Sequence, residues 1–139
     1  MEDLRFATSA HIMIYLAQAY KNDDGKLMSS AELAAGLNAN PALIRKLMGP
    51  LIEAGLVETV KGKTGGARLA KAPKQITLKD IYIASVDREI AFCRENINQK
   101  CPISTSMKKI FSNIADGMEK ALHTHLSQTT LEKLLKECW

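Results

Sequence analysis

The sequence predicts a mainly α-helical fold with one small β-hairpin, and three observations carry that expectation. Apolar residues recur three and four apart near both ends of the chain, at Phe6, Ala10, Met13, Ala17 and Tyr20 and again at Ile103, Met107, Ile110, Ile114, Met118 and Ala121, which is the spacing of one helical face. Two side-chain capping signals, Ser29 with Glu32 and Thr77 with Asp80, mark helix starts between them. A β-prone run at residues 56–60 leads into a turn holding three glycines and a return at residues 67–70. With 139 residues, 46% of them hydrophobic and 24% charged, the chain is expected to build one globular core that needs no disulfide or metal to hold it.

Taken in order, the first helix carries Ile12, Ile14 and Leu16 beside its periodic face, so it is expected to be buried on much of its circumference. Residues 21–26 form a polar turn. The second helix starts at the Ser29–Glu32 capping box and is short, with Gly36 near its end and Asn38 suited to the left-handed conformation of a tight interhelical turn. The third follows at once, with Asn40 as N-cap, Pro41 as first helical residue and Gly55 after the last turn. Pro50 cannot donate to the carbonyl of Lys46, so a bend without a break is expected there. After the hairpin, the Thr77–Asp80 box starts a helix with Ile81, Ile83 and Ala84 available for packing, and residues 94–100 read as a polar loop. A long amphipathic helix runs from Ile103, and a short final helix with Leu131, Leu134 and Leu135 is expected to be capped by Thr129 and Glu132.

The net charge of +4 is concentrated in the middle of the chain. Residues 40–79 hold eight basic side chains against Glu53 and Glu58, a local balance of +6, and residues 61–79 hold no acid at all. A stripe of this kind is the electrostatic footprint of a phosphate-binding surface, although a solvated lysine-rich loop has the same composition. The local pattern favours the first: two helices joined by a tight turn, followed directly by a basic hairpin, describe a winged helix-turn-helix. In that motif the second helix enters the major groove of double-stranded DNA, which places Asn40, Ala42, Leu43, Arg45 and Lys46 near base edges. Leu43 reads equally well as a core residue. Lys61, Lys63 and Arg68 on the wing are placed to grip backbone phosphates, and Ser30 and Thr64 complete the candidate DNA-binding set.

The segments SAELA (30–34), PALIRKL (41–47), LIEAGLV (51–57) and KGKTGGARLA (61–70) closely resemble the Rrf2 family of bacterial transcriptional regulators. The resemblance covers nearly the whole chain and is most specific where AGLV pairs with GGA-x-LA. It implies a winged helix-turn-helix DNA-binding domain at residues 1–76, with its recognition helix at about 40–54 and its wing at about 56–70. Residues 77–139 would then form a cysteine-bearing loop and a helical dimerisation region packed on it. It further implies a homodimer reading a palindromic operator; a repressor is expected because so short a module has little spare surface for recruiting polymerase. The dimer interface would be formed by Ile103, Met107, Ile110, Phe111, Ile114, Met118, Ala121 and Leu122, a stripe that the core of a single subunit could also absorb.

Family members that hold an iron–sulfur cluster do so with three grouped cysteines. Here Cys93 and Cys101 occupy that loop, but residues 102–107 offer hydroxyls where a third thiolate is expected, and hydroxyls substitute poorly at iron. No cofactor is therefore expected. Cys93 and Cys101 remain a candidate thiol pair, with Arg94 and Lys100 nearby to favour thiolate, or two unremarkable cysteines. His123 and His125, two apart on a helix, point to different faces and make a poor zinc pair, and His11 reads as a core-edge residue. With no glycine-rich phosphate loop, nucleophile elbow or paired catalytic acids, the chain is not expected to be an enzyme. The longest apolar run, residues 12–17, is far too short to span a membrane, and the start of the chain carries no secretion signal, so the expected location is the cytoplasm. A winged-helix protein-interaction module without DNA binding is the reading from another class.

Overall fold

The structure is a computed structural model, and it describes residues 4–23, 25–87 and 96–138. Among the described residues, six α-helices and one antiparallel β-hairpin follow one another as α1 (Arg5–Asn22), α2 (Ser30–Leu37), α3 (Pro41–Glu53), β1 (Val57–Val60), β2 (Gly66–Leu69), α4 (Leu78–Ser85), α5 (Pro102–Leu126) and α6 (Leu131–Glu137), with a short 3-10 turn at Pro73–Gln75. This is the winged helix-turn-helix arrangement with a long C-terminal helix.

Local signals set most boundaries. Ser29 Oγ accepts the Glu32 N–H while a Glu32 carboxylate oxygen accepts the Ser29 N–H, so two otherwise orphaned donors are satisfied reciprocally. Asn38 sits in the left-handed region at φ 54° and turns the chain from α2 into α3, and Asn40 Oδ1 accepts the Ala42 N–H at 2.8 Å. Helix α3 runs unbroken past Pro50 and ends before Gly55, whose φ of 76° suits glycine. The hairpin pairs Val57 with Leu69 and Glu58 with Arg68. Met28, in the segment before α2, exchanges two backbone hydrogen bonds of 2.8 Å with Ala67, so the wing is anchored to the helical body.

One cap differs from expectation. The N-cap of α6 is Thr130, whose Oγ1 accepts the Lys133 N–H, and not Thr129. The Thr129 carbonyl is taken by the Leu78 N–H at 2.9 Å and the Leu131 N–H donates to Ile76 O at 2.7 Å. These bonds draw residues 129–131 alongside residues 76–78, and Thr130 becomes the first residue whose hydroxyl reaches the helix start.

A single buried cluster gathers Ile12, Met13 and Leu16 of α1, Leu33 of α2, Ile44 and Leu51 of α3, Leu56 and Leu69 of the hairpin, Ile81 of α4, and Leu131 and Leu135 of α6. Helix α5 packs against α4, and its buried residues are Ala115 and Leu126. An aromatic chain ties α1, α4 and α5, with Tyr82 edge-on to Phe6 at 5.3 Å and to His123 at 5.9 Å. Among the described residues, no helix is long and apolar enough to cross a membrane.

Candidate nucleic-acid interface

Helix α3 divides its residues by period. Ile44, Leu47, Met48 and Leu51 face the core, which leaves Ala42, Leu43, Arg45 and Lys46 on the outer face. Leu43 is 43% exposed, so its side chain is available at the surface and is not consumed by the core. Asn40 spends its side-chain oxygen on the cap and keeps its amide NH2 as a donor at the same end of the helix. Ser30 is the half-buried first residue of α2, next to the capping box.

The wing presents Lys61, Lys63 and Thr64 at its exposed tip, where the Gly65 N–H closes the turn onto Gly62 O at 3.1 Å. Gly66 is required by packing: a Cβ there would fall 2.6 Å from the Met28 carbonyl oxygen, on the strand that anchors the wing. Arg68 differs from the lysines. Its Nε donates to Glu58 Oε1 at 2.6 Å across the hairpin, and the residue is half-buried. The pair cancels one acidic and one basic charge, so the free positive charge of the wing lies on Lys61 and Lys63 and continues through Lys71 and Lys74. The signal for this pairing was present in the sequence, since Glu58 and Arg68 fall opposite each other once the glycine turn is centred. Two supporting contacts had no such signal: the Met28 bridge, and the Tyr15 hydroxyl donating to Gly36 O at 3.0 Å, which holds α2 against α1.

A second candidate region lies on α5. Cys101 is its N-cap and a half-buried free thiol. The Ser104 backbone N–H, then the Ser104 hydroxyl and the Ile103 N–H, draw this thiol below its ordinary value, against a smaller opposing effect of burial. Cys93, the other member of the candidate pair, lies outside the described residues, as does Arg94. Among the described residues no three His, Cys, Asp or Glu side chains converge on a metal position. His123 pairs with Glu119 at 3.2 Å, and His11 is exposed and stacks on Tyr15 at 5.4 Å. Beyond Cys101, the apolar stripe of α5 faces away from the body: Ile103 is 74% exposed, and Met107, Ile110, Ile114 and Met118 are all exposed large hydrophobics. Ala121 is exposed as well, while Phe111 and Leu122 are half-buried at the stripe's flanks.

A family model described as Rrf2, iron-dependent transcriptional regulator, matches residues 3–137. The chain is 30% identical over 128 residues to the HTH-type transcriptional regulator NsrR of Halalkalibacterium halodurans, covering 91% of this chain and 84% of that protein. It is 28% identical over 133 residues to the HTH-type transcriptional regulator IscR of Cereibacter sphaeroides, covering 95% and 83%. Among solved structures, CymR, the global cysteine regulator of B. subtilis, superposes with a TM-score of 0.69 at 25% identity, covering 99% of this chain and 97% of that one.

Proposed function

The chain belongs to the Rrf2 family of transcriptional regulators, and from that premise we propose that it is a repressor which binds a palindromic operator as a homodimer. The observation that carries this reading is the junction of two exposed surfaces. The outer face of α3, with Asn40, Ala42, Leu43, Arg45 and Lys46, is followed directly by a wing whose tip offers Lys61, Lys63 and Thr64 without an acidic neighbour in the turn. Helix α3 enters the major groove, where Arg45 or Lys46 donates to guanine O6 and N7, and Leu43 meets a thymine methyl group. The wing lysines hold phosphates and set the register of the helix. Arg68, engaged by Glu58, orients the wing and reaches phosphate only with its remaining N–H groups.

The dimer follows from α5. An apolar stripe several turns long, exposed on one chain, is covered most economically by the same stripe of a second copy, in an isologous contact that also spaces two α3 helices for two half-sites.

One observation favours a redox-responsive version of this reading. Cys101 carries a thiol biased toward thiolate and begins the helix that bears the dimer stripe, so its oxidation would alter the geometry between the half-site readers. No step is assigned to an iron–sulfur cluster, for which the sequence offers two cysteines in the loop where three are expected.

The test is operator binding by Arg45→Ala and Lys61→Ala proteins, measured by fluorescence anisotropy on the gene's own upstream DNA. Arg45→Ala is expected to cost about 1–3 kcal/mol and to relax preference at one base position, and Lys61→Ala to weaken all sequences alike and lower the salt slope by about 1. Unchanged affinity in both variants would overturn the assignment of helix and wing.

A further inference from the structure

One well-formed cleft in the described structure belongs neither to the α3–wing face nor to the α5 stripe. It has a volume of about 460 Å³ and lies between the end of α1, the 3-10 turn that follows the wing, and α6. This is the size range of small-molecule sites.

Its lining is of two kinds. Tyr20, Ala72, Pro73 and Leu135 supply an apolar floor, with Leu135 buried and the other three half-buried. Lys21, Lys74 and Lys136 stand around it against a single acid, Glu132, which lies 3.9 Å from the Lys136 ammonium. Lys21 and Lys74 make no ion pair with any described residue. Lys21 and Lys136 also sit in the last turns of α1 and α6, where the carbonyl ends of the helices favour the charged amine. The walls are fixed to one another: Leu131 N–H to Ile76 O and Leu78 N–H to Thr129 O join the α6 side to the chain leaving the 3-10 turn, and the Ala72 N–H is held by the Gln75 side chain at 3.3 Å. The cleft is thus preformed, apolar in its floor and positive at its rim.

We infer that this cleft binds a small amphipathic organic anion, a carboxylate carried on a flat or branched apolar body. The apolar part covers Tyr20, Pro73 and Leu135, and the carboxylate lies between Lys21 and Lys74. Inorganic phosphate satisfies only the lysines and an uncharged ring only the floor, so each alone binds less well than the combination. The site stands independently of the DNA reading, although the 3-10 turn that forms one wall directly continues the wing.

The experiment is an amide NMR titration of the reduced full-length chain with salicylate, alongside 2-hydroxybenzyl alcohol and inorganic phosphate. The expected result is saturable shifts confined to residues 20–21, 72–75 and 132–136, with the alcohol and the phosphate each at least about tenfold weaker. Lys21→Gln and Lys74→Gln together should weaken salicylate by about tenfold or more while leaving the spectrum elsewhere unchanged, and Ala72→Leu, which fills the floor, should abolish binding. The proposal is overturned by shifts that do not saturate, by shifts centred on the α5 stripe, or by phosphate binding as tightly as salicylate. Displacement of salicylate by a DNA duplex would overturn it too, by assigning the lysines to the nucleic-acid surface.

Discussion

Cys101 owes its chemical character to its place at a helix start. Pro102, the first residue of α5, has no N–H to give, and the next two amides, of Ile103 and Ser104, turn toward the sulfur along with the Ser104 hydroxyl. Stabilising the anion in this way lowers the pH at which the thiol ionises, so the thiolate fraction at neutral pH rises. In a Cys93→Ser, Cys138→Ser background, alkylation of Cys101 by iodoacetamide should follow a pH profile with its midpoint below the roughly 8.5 of an ordinary thiol. Ser104→Ala should move that midpoint back up, and a midpoint at or above the ordinary value would contradict the assignment. Such residue-level roles were legible only where the partner is a near neighbour in sequence. The Ser29–Glu32 and Thr77–Asp80 boxes, the Asn40 cap and the left-handed Asn38 all close on groups within about four residues, and each was read correctly. The Glu58 partner of Arg68 lies ten positions away and becomes visible only once the hairpin register is drawn.

At the scale of the element, the wing depends on a contact that no local pattern announces. Its second strand is held by Met28, nearly forty residues earlier, through a pair of backbone hydrogen bonds that require the bare glycine at position 66. Gly66→Ala should push β2 off Met28, destabilise the chain by about 1–3 kcal/mol and weaken DNA binding at temperatures where the protein is still folded. Thermal melting with parallel anisotropy checks both, and a variant with unaltered melting and affinity would show that the bridge does not position the wing. The same dependence on distant backbone explains the shifted cap of α6, since the choice between Thr129 and Thr130 is made by Leu78 and Ile76. Which face of α5 packs inward was equally hidden. Periodicity identifies the stripe, but whether it turns in or out is settled by the packing of α5 on α4, which buries Ala115 and Leu126 and leaves the stripe exposed.

For the whole molecule, α6 returns to α1 and places Leu131 and Leu135 in the same buried cluster as Ile12 and Leu33, which leaves α5 as the one long helix with an apolar side uncovered. On the proposed homodimer, charging that side should separate the subunits without disturbing the core. Ile110→Glu with Ile114→Glu is expected to convert a dimer to a monomer in sedimentation equilibrium with the helical circular dichroism largely kept, and to weaken operator binding by more than about tenfold through loss of the second half-site. A wild-type chain that sediments as a monomer would refute the role given to the stripe. The distribution of charge makes the most direct demand of all, because the wing lysines at the start of the acid-free run, Lys61 and Lys63, have the proposed role only if they meet phosphate. The decisive measurement is the anisotropy of the reduced wild-type protein on its own upstream DNA and on a scrambled duplex across a series of salt concentrations. The account predicts tighter binding to the upstream DNA, with log affinity falling linearly against log salt at a slope of about −0.9 per phosphate neutralised. Equal affinity for the two duplexes, or an affinity indifferent to salt, would contradict it.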